Sequence, residues 1–260
     1  MRIRILGCSG GIGAGSRTSA MLVDDDVLID AGTGIGDLSL DDLNGIRHVF
    51  LTHAHLDHIA GLPMLADSVF DPEFEVPLTV YARAETLNAV QTHLFNDAIW
   101  PDFSKLPTPA RPMLRYHVCS PGDTVTIAHK TIGQRNFFAV DVLHSVPSLG
   151  YTVQNSDGAF AVSGDTKTNE TLWPVLNACD NLRLLVIEVS FPDEMEGLAA
   201  DAGHYCPKTL CRDLERLRPD PDIWLTGMKP GEEERIFRQV LAACPDRKIQ
   251  MLSRGTVLNV

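Results

Sequence analysis

The chain has 260 residues, enough for one large or two small domains with a substantial core. Its 22 basic and 34 acidic residues give a formal net charge of −12, which argues against a protein that grips a long phosphate backbone. A small anionic substrate neutralised by a metal is compatible with that charge. No apolar run reaches the length of a membrane span, and residues 1–6 read as a first strand rather than a signal peptide. We therefore expect a cytoplasmic protein.

Six cysteines are scattered along the chain without any Cys-x-x-Cys pair. Cys206 and Cys211 form the only close spacing. This pattern predicts reduced thiols rather than a disulfide framework or a cysteine zinc site.

The N-terminal third alternates short apolar segments with glycine and aspartate, which predicts strands at 2–6, 20–24, 27–30 and 47–52. A glycine-rich run, residues 7–15, follows the first strand. It lacks the lysine of a P-loop, and no helical pattern follows it. A close approach of the backbone near a site is therefore favoured over direct phosphate contact.

Further along, the apolar spacing predicts helices at 59–69 and 84–95 and a strand at 76–81. Four prolines predict a loop at 100–112, where a packed surface role is favoured over stacking of Trp100 or Phe103 on a substrate. Two more helices are predicted at 207–217 and 232–243. Strands are expected at 124–128, 137–143, 150–154, 159–163, 182–188, 223–226 and 249–252. Strands in two runs with helices interspersed predict two packed sheets with helices outside.

The segment 51–58, Leu-Thr-His-Ala-His-Leu-Asp-His, predicts a metal site. In an extended segment the side chains of His53 and His55 point the same way and can reach one ion. A turn into a helix would carry Asp57 and His58 toward a second ion. Imidazole nitrogens with a carboxylate suit zinc or a similar first-row divalent ion, so we expect one or two Zn²⁺ ions, with Mn²⁺ or Fe²⁺ as alternatives.

Other candidate ligands and catalytic groups stand at the ends of predicted strands or just before a helix, where a rigid element can project a side chain into a site. Singly, each has an ordinary explanation, such as a turn-initiating aspartate or a solvated strand end. These residues are Asp30, His144, Asp165, Glu188 and His204.

The order of these residues resembles the metallo-β-lactamase superfamily, whose motifs run acid, His-x-His-x-Asp-His, His, Asp. The match is Asp30, then residues 53–58, His144 and Asp165. The resemblance runs through nearly the whole chain. It implies an α+β fold, a four-layer αββα sandwich, formed by a single hydrolase domain over residues 1–260.

Three segments are more similar to the class II 3′,5′-cyclic-nucleotide phosphodiesterases: 53–62, 187–192 and 203–208. This resemblance implies a metal-dependent phosphodiesterase acting on a cyclic nucleotide or a related small phosphodiester. His204, polarised by Glu188, would stabilise the developing charge or protonate the leaving oxygen, and Asp57 could orient the attacking water. Asp165 would bridge two ions. The metal ligands expected from the resemblance are His53, His55, Asp57, His58, His144 and Asp165.

The chain departs from that family at Gly227, in the segment Thr-Gly-Met-Lys-Pro (226–230), where the family has a histidine ligand. No histidine occurs after His204. The second ion would then hold three protein ligands, Asp57, His58 and Asp165. The site could be mononuclear, exchangeable or repurposed.

Two alternatives stay open on the same scaffold. One is another hydrolase, acting on a lactone, thioester or sulfate ester, or a tRNA 3′-processing nuclease, although no basic tRNA-gripping insertion is found. The other is a degenerate member that binds a metal or ligand without catalysis, which Gly227 keeps open. The expected partner is a small phosphodiester, not a membrane or a long nucleic acid, and a homodimer is compatible with the resemblance.

Overall fold

The computed structural model describes residues 1–260 and contains sixteen strands, most of them short. In chain order they are β1 (Arg2–Gly7), β2 (Ala20–Val23), β3 (Val27–Ile29), β4 (His48–Phe50), β5 (Leu78–Ala82), β6 (Pro107–Thr108), β7 (Arg111–Pro112), β8 (Leu114–Val118), β9 (Thr124–His129), β10 (Gly133–Val142), β11 (Ser148–Gln154), β12 (Ala159–Val162), β13 (Leu182–Glu188), β14 (Asp222–Thr226), β15 (Ile249–Met251) and β16 (Val257–Asn259).

Eight α-helices connect these strands, with two short 3₁₀ turns at Thr33–Asp37 and Asp193–Met195. The helices are α1 (Leu40–Gly45), α2 (Leu56–Ile59), α3 (Leu62–Ser68), α4 (Ala84–His93), α5 (Leu172–Ala178), α6 (Glu196–Ala202), α7 (Pro207–Leu214) and α8 (Glu233–Ala243). No helix is both long enough and apolar enough to pass through a lipid bilayer.

The strands form two sheets of seven strands and a two-stranded ribbon, β6-β7. The first sheet has the order β16-β1-β2-β3-β4-β5-β8, and the second has the order β15-β14-β13-β12-β11-β10-β9. Each sheet is antiparallel in one part and parallel in the other. The strand β13 pairs in parallel on both sides and is buried on both faces along most of its length, which explains its nearly continuous apolar run.

Three clusters of buried side chains define the layers. The central cluster joins the facing sides of the two sheets, with Ile5 and Phe50 from the first sheet against Phe137 and Tyr151 from the second. A second cluster lies between the outer face of the first sheet and α3 and α4. A third lies between the outer face of the second sheet and α5, α7 and α8. This arrangement confirms the αββα sandwich.

Sequence patterns found the apolar elements more reliably than the polar ones. The strands β6, β7, β8 and β16 and the helices α1, α5 and α6 were not predicted. The strand β8 lies at the edge of its sheet, and only the leucine of its sequence, Leu-Arg-Tyr-His-Val, is buried. The strand therefore has no alternating apolar pattern from which it could be predicted. The proline-rich segment 100–112 contains the ribbon β6-β7, and Phe103 is buried there against the second cluster, in agreement with a packed role.

The glycine-rich run is a close-approach segment, as expected. A Cβ atom at Gly10 would lie 2.2 Å from the carbonyl oxygen of Gly227, and one at Gly7 would lie 2.0 Å from that of Thr18. Glycine at positions 7 and 10 is therefore required for the backbone to lie this close to its neighbours.

The expectation that all thiols are reduced is wrong for one pair. Cys211 in α7 and Cys244 after α8 form a disulfide, while the other four cysteines are free. The two residues are 33 positions apart, so no local spacing signals the pair. Packing of α7 against α8 brings them together.

Arg135 of β10 is fully buried and lies between two carboxylates of the β2–β3 turn. Its guanidinium donates to both oxygens of Asp26, at 2.7 and 2.8 Å, and to Asp24 at 3.0 Å. This contact ties the second sheet to the first at the sandwich end where the β2–β3 turn lies.

We expect Arg135→Gln to lower the free energy of unfolding by about 3 kcal/mol, because removing the buried guanidinium leaves two partly buried carboxylates without a counter-charge. Urea denaturation followed by tryptophan fluorescence measures the change. Arg115→Gln is the matched control, since Arg115 is exposed on β8 and should alter stability by less than about 0.5 kcal/mol. Equal effects of the two substitutions would contradict the buried ion pair.

Candidate metal centre

The histidines and acids singled out in the sequence meet at one edge of the sandwich. The His-rich segment follows β4, His144 lies in the β10–β11 connection, and Asp165 follows β12. Glu188 ends β13, and His204 lies just before α7. Each comes from a different connection, so only the pairing of the strands brings them together.

Three imidazoles form the first group. The ligand nitrogens of His53, His55 and His144 lie within 4.8 Å of one another. His144 Nδ1 donates to the carbonyl oxygen of Gly203 at 2.8 Å, so its Nε2 carries a lone pair. That Nε2 lies 3.1 Å from Nδ1 of His55. Two imidazole nitrogens at this distance either share a hydrogen or face a cation.

His53 is oriented by a chain of hydrogen bonds that begins at Asp30. The Thr52 hydroxyl donates to the Asp30 carboxylate at 3.0 Å and therefore accepts from Nδ1 of His53, also at 3.0 Å. The lone pair of His53 is then on Nε2. This atom is buried and has no hydrogen-bond partner in the protein. An unpartnered imidazole nitrogen aimed at two other histidines fits a metal ligand.

Asp30 also positions His58. Its carboxylate, which is nearly fully buried, accepts from Nδ1 of His58 at 2.6 Å and from the backbone N–H of Thr52 at 2.8 Å. Nε2 of His58 then faces Asp165 Oδ2, 3.4 Å away. Asp30 thus orients two histidines of the motif without contributing to any of the groups of ligand atoms.

Asp165 lies between these groups. Its Oδ2 is 4.0 Å from His53 Nε2, 3.4 Å from His58 Nε2 and 3.9 Å from His204 Nδ1. It forms one possible ligand group with His53 and His58 and another with His144 and His204. This central position is the one expected for a bridging carboxylate.

Asp57 lies apart from these groups and is one-third exposed. Its Oδ2 is 3.9 Å from Nε2 of His58. With His58 and Asp165, it lines a cavity of about 20 Å³, room for about one water molecule. Gly227 lies in the wall of the same cavity.

Glu188 and His204 form a hydrogen-bonded pair. Nδ1 of His204 donates to Oε1 of Glu188 at 3.0 Å, which leaves Nε2 of His204 free. The same Glu188 oxygen accepts from the backbone N–H groups of Thr166 and Tyr205, at 3.1 and 3.2 Å. The ring centroid of His204 lies 4.9 Å from that of His144, so the pair borders the histidine group.

Electrostatics separate the histidines into two kinds. Burial lowers the pKa of His53 well below its ordinary value and lowers that of His144 to about 4, so both are neutral. Burial also acts on His58, but the carboxylates of Asp165 and Asp30 outweigh it and raise its pKa well above the ordinary value. Glu188 and Asp165 likewise outweigh burial at His204 and raise its pKa, so His58 and His204 are the two groups that balance the buried carboxylates.

The donor set fits a divalent metal. Neutral histidines oriented through their other ring nitrogens, together with a central carboxylate, are ligands that zinc and similar ions take. Asp25, Asp26 and His129 also bring three donors together. This second cluster, in which only Asp25 is exposed, lies at the opposite end of β10 from the metal centre.

Three further residues of the site were not predicted from the sequence: Thr52, Ser190 and Tyr205. Ser190 Oγ lies 3.1 Å from Glu188 Oε2 and 3.1 Å from His204 Nδ1. The hydroxyl of Tyr205 donates to Asp213 at 2.7 Å and so anchors the segment that carries His204 to α7. Each is adjacent to a predicted site residue or two positions from one, and that proximity was the only available signal.

Residues 26–224 match the family described as Beta-lactamase superfamily domain, which is well over half of the chain. The chain belongs to this superfamily and has the metallo-β-lactamase fold. Among solved structures, unliganded yeast PDE1 covers 100% of this chain with a TM-score of 0.82, at 19% identity over 99% of that chain.

Curated relatives include a probable 3′,5′-cyclic-nucleotide phosphodiesterase of Yersinia pestis, 28% identical over 66% of this chain and 51% of the relative. A ribonuclease Z of Bacillus licheniformis is 32% identical over 68% of this chain and 56% of the relative. The chain therefore spans about half the length of these curated relatives.

Because Asp30 orients both His53 and His58, we expect Asp30→Ala to weaken zinc binding about 10–100-fold, as loss of a residue behind metal ligands usually does. Competition with a chromophoric chelator measures the affinity. Asp67→Ala is the control, since Asp67 is an exposed aspartate of α3. Unchanged zinc affinity in Asp30→Ala would exclude an orienting role.

Proposed function

We propose that the protein is a metal-dependent phosphodiesterase that hydrolyses a 3′,5′-cyclic nucleotide or a related small phosphodiester. The observation that carries the proposal is the Glu188–His204 pair beside the histidine group. A hydrolase of this fold needs a metal, but cleavage of a phosphodiester also needs a group that protonates or stabilises the leaving oxygen. The names of the curated phosphodiesterase relatives support the same substrate class.

In this proposal the metal ligands are His53, His55, Asp57, His58, His144 and Asp165, and zinc is the expected ion. A divalent ion held there would polarise a phosphoryl oxygen and lower the pKa of a water toward neutrality. Asp30 and Thr52 hold the imidazoles in the tautomers that present their lone pairs to the site.

The catalytic residues are His204, Glu188 and Asp57. Because Nδ1 of His204 donates to Glu188, Nε2 can give a proton to the leaving 3′-oxygen when the ring is an imidazolium. Burial opposes that form, but the carboxylates of Glu188 and Asp165 outweigh it and raise the pKa of His204. Glu188 fixes the orientation of the ring and stabilises its charge. Asp57 is the most exposed carboxylate of the site and is placed to accept a hydrogen bond from the attacking water.

A tRNA-processing nuclease is the second candidate, because ribonuclease Z relatives also match the chain. The net charge of −12 disfavours it, since a nuclease of long RNA needs cationic contacts to the phosphate backbone. A small substrate whose charge is neutralised at the metal needs no such surface.

The test is hydrolysis of a panel of 3′,5′-cyclic nucleotides by protein loaded with zinc or manganese. We expect turnover of at least one cyclic nucleotide. His204→Ala should reduce kcat about 10²–10⁴-fold, the usual contribution of a general acid, with a smaller change in KM.

The matched control is His93→Ala, because His93 is exposed at the end of α4 and should leave both constants unchanged. The proposal fails if no cyclic nucleotide is hydrolysed with either metal. A kcat equal to that of the wild type in His204→Ala would show that His204 has no catalytic role.

A further inference from the structure

The two metal positions of the centre are unequal in protein ligands. The first is bordered by three histidines, His53, His55 and His144, and by Asp165. The second has only Asp57 and His58 besides the shared Asp165. Three protein donors leave the fourth position of a tetrahedral zinc site open to water or to an oxygen of a ligand.

The opposite wall of the cavity offers no replacement among the polar side chains of its strand end. Lys229 carries an ammonium without a lone pair and donates to the carbonyl oxygen of Gly10 at 2.9 Å. The Thr226 hydroxyl donates to the carbonyl oxygen of Cys8 at 3.2 Å. The Ser190 hydroxyl lies 3.0 Å from the carbonyl oxygen of Gly227 and 3.1 Å from Glu188.

Cys8 also lines the cavity, but it is a poor substitute ligand. Its Sγ forms no group of three ligand atoms with the histidines and carboxylates of the centre.

The backbone conformation at Gly227 disfavours any residue with a side chain that could act as a ligand. Its φ of +76° lies in the left-handed region that residues with side chains rarely adopt. Its N–H donates to the carbonyl oxygen of Cys8 at 2.9 Å, which holds this conformation against the glycine-rich run. The missing ligand therefore cannot come from residue 227 without a local rearrangement.

The cavity is nonetheless suited to a phosphate oxygen. Ser9 Oγ lines it, is buried and has no hydrogen-bond partner, so it can donate to an anionic oxygen. Lys229 adds a positive charge to the same wall. A phosphate oxygen could therefore contact both this wall and an ion beside Asp57 and His58.

We propose that the second ion binds tightly only when a phosphate oxygen of the ligand completes its coordination. The inference rests on the proposed function, because it takes a phosphate group as the ligand. The first ion is resident, and the second ion and phosphate bind cooperatively. By linkage, each raises the affinity of the other by the same factor.

The experiment measures metal binding and not turnover. Protein holding one equivalent of zinc is titrated with Mn²⁺, and free Mn²⁺ is followed by electron paramagnetic resonance, with inorganic phosphate or with chloride at equal ionic strength. We expect the affinity for the added ion to rise about 5–150-fold with phosphate, the usual range of coupling between two sites.

Asp57→Asn should abolish the phosphate-dependent ion while keeping the first, and Asp67→Asn, on the exposed face of α3, should behave as wild type. Tight binding of two ions in chloride, or only one ion even with phosphate, would overturn the inference. Because neither result depends on catalysis, failure of the phosphodiesterase assay remains a separate outcome.

Discussion

The buried carboxylate of Asp30 is the contact on which the metal centre depends. It accepts hydrogen bonds from Thr52 and His58, and through the Thr52 hydroxyl it sets the tautomer of His53. Asp30 itself has a φ of +57°, a conformation that aspartate tolerates better than most residues. The sandwich holds this strained position because β3 is buried on both faces.

The hydrogen bonds of Asp30 also explain why one side of the site is tightly packed while the other is open to solvent. The side built from Asp30, His53 and His58 is packed against the first sheet and is almost inaccessible to solvent. Across the centre, Glu188 is fully buried and fixes His204 through backbone and side-chain contacts. Asp57 remains partly exposed between these two sides, where a substrate or water can reach it.

The proposed asymmetry of the two metal positions follows from Gly227 and the groups around it. At Gly227 the backbone pairs with Cys8, and the neighbouring polar groups are engaged with each other and with the backbone. A centre of this kind differs from one with two equal ions, because its second position depends on what the ligand brings. Under the proposed function, catalysis and metal occupancy would be linked through the same phosphate.

The sequence by itself determined the metal motif and two runs of strands, because histidines at alternate positions and short apolar segments are local patterns. The order of the motifs, through the resemblance to a known family, added the other candidate ligands and the αββα fold. The same resemblance located Gly227 as a departure. Only the tertiary structure decided which imidazole nitrogens face the centre, since that depends on partners such as Gly203 that are distant in the chain. The Cys211–Cys244 pair, the role of Ser190 and the polar edge strand β8 were likewise decided by packing between elements, which leaves no periodic signal in the sequence.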